Sequence, residues 1–92
     1  MIRHRVILYH DEPYEAAADT RSAGLYASER EAIAAARRSF AKGAEGREAG
    51  YWTSATVDRG RWDPGEPGIR PAEFTEDGSA PSAYVGPDWI NR

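Results

Sequence analysis

The sequence predicts an α+β domain: a small, mainly antiparallel sheet of three to four strands, ordered 2-1-3. One helix, at about residues 29–42, packs on one face of it. Three stretches carry this reading. "IRHRVILYH", residues 2–10, is rich in β-formers and apolar on both sides at its middle. "SEREAIAAARRSFAKG", residues 28–43, holds the start and stop signals of a helix. "YWTSATVDR", residues 51–59, returns to alternation with a period of two.

In the first strand, Ile2, His4, Val6, Leu8 and His10 share one face, and Arg3, Arg5, Ile7 and Tyr9 share the other. Apolar residues on both sides from Val6 to Tyr9 suit a central strand covered at its middle. "DEPYEAAADTRSAG" follows as a polar connection, too short and too poor in large apolar residues for a stable helix. "GLYAS", residues 24–28, reads as a brief second strand.

Ser28 and Glu31 stand at N-cap and N3, the spacing of a capping box. Glu29 and Glu31 lie at the positive end of the helix dipole, and Arg37, Arg38 and Lys42 lie near its negative end. Gly43 is a natural terminator. The expected buried stripe is Ala32 or Ile33, Ala36 and Phe40.

After the helix, "KGAEGREAG" is a flexible connection, and residues 51–59 form the third strand. "GRWDPGEPGIRP" is dominated by turns, and "AEFTE", residues 72–76, makes a short edge strand. Residues 1–76 are thus one domain, and residues 77–92 an irregular C-terminal arm broken by Pro81 and Pro87. A second strand antiparallel to the first, followed by a right-handed helical crossover, places the third strand on the far side of the first.

Size and composition bound the rest. Of 37 apolar residues, 16 are alanine, so 92 residues yield a thin core. No cysteine is present, which excludes disulfides and thiolate ligands and fits a reducing cytoplasm. No apolar run approaches the roughly 20 residues of a membrane helix. Net charge is −3, and residues 48–92 carry 4 basic and 8 acidic groups. That balance argues against a nucleic-acid groove across the whole molecule.

"GLYASEREAIAAARRS", "ATVDRGRWDPG" and the opening "RVILYHDE" together resemble an uncharacterised family of short bacterial proteins. Those proteins run strand, strand, helix, strand and carry a domain-of-unknown-function label. The resemblance covers roughly residues 3–63. It departs at residues 43–50, and the tail beyond residue 64 is longer than the family pattern. It implies a fold, and no activity, cofactor or catalytic residue.

Candidate sites are few. His4 and His10, the two histidines, share a strand face but lie six residues apart, roughly 20 Å at about 3.3 Å per residue. A metal cannot bridge that span with bonds of about 2 Å. His10 with Asp11, Glu12 and Glu15 forms a polar strand end, the one place for a small-ligand or acid–base site. No nucleophile elbow and no phosphate-binding glycine loop occurs. Arg3, Arg5, Arg37 and Arg38 form the alternative, a basic patch for nucleic acid. The bland readings are a solvated strand end and a helix end complementing its dipole.

Aromatic residues point elsewhere. Trp62 in a turn-rich loop and Trp89 in the arm are either lids over a core or interface anchors. With Tyr9, Trp52 and Tyr84 they define an expected interaction surface on the sheet face that the helix leaves bare. The expectation is a non-enzymatic interaction module without cofactor, pairing with itself as a two-fold dimer or with another protein.

Overall fold

A computed structural model describes residues 1–10, 19–78 and 80–86. Among these residues the elements run β1 (Ile2–His10), β2 (Asp19–Tyr26), α1 (Glu29–Lys42), β3 (Ser54–Asp63), β4 (Glu73–Glu76) and β5 (Ala83–Val85). The sheet order is β2-β1-β3-β4, with β5 also on β3, and every pairing is antiparallel. The α+β class, the 2-1-3 order and the central place of β1 are therefore found as expected.

β1 holds the centre because its middle is apolar. Val6 and Leu8 are fully buried, and their register partners Val57 and Ala55 on β3 are buried with them. β2 and β3 each run antiparallel to β1, so they are parallel to each other, and α1 crosses over β1 to join them. Ser28 caps α1, its Oγ accepting from the Glu31 amide at 3.2 Å. Ala32, Ala35 and Ala36 face the sheet and are buried, which lets the helix lie close to it. The contact ridge differs slightly from expectation: Ser39 joins it, while Ile33 and Phe40 are half-buried at its borders. The Ser39 hydroxyl meets its burial by donating to the Ala35 carbonyl at 2.9 Å.

Gly43 ends the helix at φ 77°, its amide donating to the Ser39 carbonyl at 3.0 Å. A Cβ there would sit 2.7 Å from the Glu48 carbonyl carbon, so the returning chain at Arg47–Glu48 leaves room for glycine alone. That return carries Trp52 beneath the helix end. Trp52 is the largest fully buried side chain, and its Nε1 donates to the Ala44 carbonyl at 3.0 Å.

Strand boundaries differ from the sequence expectation, most of all in β2 and β3. β2 begins at Asp19, not Gly24: a polar segment becomes a strand because β1 supplies backbone partners for it, from His10–Asp19 to Ile7–Ser22 and again from Arg5–Leu25 to His4–Tyr26. A bulge between the Arg5 and Ile7 pairs absorbs an extra residue of β2. β3 begins at Ser54, not Tyr51, because Tyr51 and Trp52 turn their rings into packing before the strand starts. β3 also runs on through Gly60 to Asp63, where turns were expected. Gly60 permits this, since a Cβ there would lie 2.6 Å from the Phe74 ring that crosses it from β4. Turns begin at Pro64, where Glu66 and Arg70 close a small loop. Within the stretch expected as irregular, Ala83–Val85 forms β5, anchored by the Ser82 amide on the Val57 carbonyl at 2.8 Å.

Candidate functional site

Register divides the sheet into two faces. Val6, Leu8, Ala55, Val57, Ala83 and Val85 face α1. The opposite face has no helix over it among the described residues. There Arg5 stands opposite Asp58, Ile7 opposite Thr56 and Tyr9 opposite Ser54. Trp62 stands opposite Phe74, and Thr56 opposite Tyr84 on β5.

One half of this open face is charged, with one arginine set between two carboxylates. The Arg5 guanidinium pairs with Asp58 at 3.1 Å and with Glu76, and it lies 4.7 Å from the centre of the Phe74 ring. Both carboxylates meet the same nitrogen, Nη2, while the Arg5 Nε is buried and without a hydrogen-bond partner. The other half is neutral. Tyr9 leans along β3, and its hydroxyl meets the Thr56 Oγ1 at 3.2 Å. Thr56 is 9% exposed, whereas Tyr84, on the next strand, is 73% exposed. Between them lies a hollow of about 340 Å³ bordered by Tyr9, Ser54, Thr56, Tyr84 and Gly86, with Ala55 and Val85 at its base.

A second cluster occupies the end of β1. His10 stacks on Tyr51 with ring centroids 3.9 Å apart, and its Nδ1 lies 2.6 Å from the Tyr51 carbonyl oxygen. A carbonyl only accepts, so Nδ1 carries the proton. The Tyr51 hydroxyl donates to Asp19 at 3.0 Å, and Arg47 binds the same carboxylate at 2.8 Å while lying over the Tyr51 ring. Burial pushes the Asp19 pKa up, but the Tyr51 hydroxyl, Arg21 and Arg47 outweigh it and hold the carboxyl below its ordinary value. Asp63 is lowered as well, by hydrogen bonds from Arg70 and from the Gly65 amide.

The expected site residues fall as follows. Tyr9, Trp62 and Tyr84 share the open face. Trp52 does not: at 1% exposure it belongs to the core on the helix side. Trp52 lies before Ser54, where β3 begins, so its ring is not set by the alternation of the strand. Trp89, Asp11, Glu12 and Glu15 lie outside the described residues. The arginines are not brought together. Arg3 and Arg5 lie on the open face, and Arg37 and Arg38 are exposed on the helix, across the sheet. His4 and His10 stand at opposite ends of β1, and among the described residues no three His, Cys, Asp or Glu side chains are grouped to hold a metal.

Thr56 and Ser54 are the residues that sequence reasoning did not single out. The available signal was parity: with β3 in antiparallel register against β1, even-numbered β3 residues share the face of Tyr9. Among the described residues, no helix is long and apolar enough to cross a membrane. Comparison with protein-family models, with curated proteins and with solved structures found no match to this chain.

Proposed function

We propose that this chain is a non-enzymatic interaction module that pairs with a second copy of itself across the open sheet face. The observation that carries the reading is Tyr84, 73% exposed on the edge strand β5, on a sheet face that no described element covers. Ile7, Tyr9, Trp62 and Phe74 are only half-buried on the same face. Large aromatic side chains left open on one surface are the usual anchors of an interface.

Charge sets where two copies meet. One arginine against the two carboxylates Asp58 and Glu76 leaves a net negative charge at that cluster, so an identical partner sits over the neutral half of the face, around Tyr9 and Tyr84. A two-fold pairing is the simplest closed arrangement of one face with itself. The lack of cysteine supports a reducing compartment, the cytoplasm, as its setting.

Sedimentation equilibrium tests the proposal. The expected mass is twice 10.2 kDa at tens of micromolar. Tyr84→Glu, which alters an outward side chain and leaves the core alone, is expected to sediment as a monomer with an unchanged circular dichroism spectrum. A wild-type monomer at every concentration sinks the reading, and so does a Tyr84→Glu variant that pairs as well as the parent.

A further inference from the structure

We propose that the hollow between Tyr9 and Tyr84 is a binding site for an uncharged, planar heteroaromatic small molecule that carries a hydrogen-bond acceptor. The site goes beyond self-association and does not require it. Three features of the hollow define the ligand.

The first is charge. None of the residues that border the hollow is ionisable at neutral pH: Tyr9, Ser54, Thr56 and Tyr84 are hydroxyl residues, and the remaining three are Ala55, Val85 and Gly86. Among the described residues of the same face, Arg5, Asp58 and Glu76 are engaged with one another. A charged ligand would lose hydration with no counter-charge to meet it.

The second is shape. Tyr9 on β1 and Tyr84 on β5 border the hollow from the two sides of β3, Tyr9 opposite Ser54 and Tyr84 opposite Thr56. Aromatic rings favour a flat aromatic partner, which can lie against either of them. The volume of about 340 Å³ equals that of about eleven waters at ~30 Å³ each, enough for a fused two-ring compound. It also falls in the range of small-ligand clefts, about 300–1,000 Å³.

The third is the polar pair at the base. The Tyr9 and Thr56 hydroxyls are 3.2 Å apart, and either can donate to the other. Two hydroxyls hold two protons, and only one lies between them. The second proton is left to be given to a ligand acceptor, a carbonyl oxygen or a ring nitrogen. Thr56 is held in place by its burial, so this donor is fixed before a ligand arrives.

Coumarin, a neutral two-ring compound with one carbonyl acceptor, is the probe, and coumarin-3-carboxylate is its charged counterpart. Titration of the full chain is followed by NMR. Coumarin is expected to shift the signals of Tyr9, Thr56, Tyr84 and Val85 together along one saturation curve. Coumarin-3-carboxylate is expected to bind at least tenfold more weakly. Tyr84→Ala is expected to weaken coumarin binding tenfold or more. Tyr9→Phe, which keeps the ring and removes its hydroxyl, is expected to weaken it about three- to tenfold.

Shifts scattered over the surface, absent at millimolar probe, or equal for the two compounds overturn the site. Tyr84 signals already shielded before probe is added, with no response to it, mean that a second copy or the chain's own end fills the hollow, and this too overturns it. Sedimentation separates the two proposals: a monomer that binds coumarin keeps this site and removes self-association, and a dimer that ignores coumarin does the reverse.

Discussion

His10 and Tyr51 lie face to face, their ring centroids 3.9 Å apart and their planes within 12°. The contact joins the last residue of the central strand to the chain arriving from the helix. It also explains why the strand-like "YWT" is not a strand. Tyr51 spends its ring on His10, its hydroxyl on Asp19 and its carbonyl on the His10 Nδ1 proton.

His10→Phe keeps the stacked ring and removes the Nδ1 donor. The expected loss is about 1 kcal/mol, from a Tyr51 carbonyl left without that donor. Urea denaturation measures it, as a lower midpoint at an unchanged slope. A variant as stable as the parent would show that the stacking alone holds this end of β1.

Asp19 gives the fold a dependence on acid. Its pKa in the folded chain lies below the ordinary value of 3.8, so its contribution is fully present above that value. The contribution fades as pH falls through the folded pKa. Asp63, also lowered, acts in the same direction and the same window. Thermal melts between pH 2 and 5 are expected to show Asp19→Asn losing less of its melting temperature with falling pH than the parent does. Because both carboxylates are reached by solvent, added salt is expected to shrink the difference.

Trp52 is the piece of the core that the chain can least spare. Trp52→Ala is expected to lose about 3–5 kcal/mol, comparable with the whole stability of a small domain. Trp52→Phe retains most of the volume and removes the indole donor from the Ala44 carbonyl, which keeps the Arg47 amide, for a loss of about 1–3 kcal/mol from the vacated space and the lost bond. Circular dichroism is expected to find the alanine variant largely unfolded and the phenylalanine variant folded. The reverse order of stability would contradict the core described above.

Gly60 is where β4 depends on an absent side chain. Gly60→Ala sets a methyl group against the Phe74 ring and the Thr75 carbonyl. The expected result is faster amide exchange in Glu73–Glu76 with protection retained in β1. Equal protection of β4 in parent and variant would mean that the ring and the strand move aside at little cost.

Some of this architecture was legible in the residues because local signals agreed with tertiary ones. Val6 to Tyr9 are apolar on both sides, and the strand that contains them is central. Ser28, Glu31 and Gly43 marked the helix ends, and α1 runs between them from Glu29 to Lys42. Asp19–Ala23 was not legible, since its strand form comes from pairing with β1 and not from any apolar rhythm of its own. β5 was hidden for a similar reason. Pro81 and Gly86 frame a segment of three residues, and its register on β3 rests on the Ser82 amide and hydroxyl bonding the Val57 carbonyl. Of the open face, the parity of β1 placed Tyr9 and Arg5. Tyr84 joined Thr56 only through a pairing between residues 28 positions apart.

β4 and β5 lie in tandem along one margin of β3, four residues and then three. Neither is long enough to serve as a template for a foreign strand, and Pro71 and Pro81 bracket them. Among the described residues only the β2 margin offers an extended row of amides, and a bulge interrupts it. Polymerisation needs two serviceable ends on every unit, so copies joined at β2 would terminate as a couple instead of lengthening into a fibre.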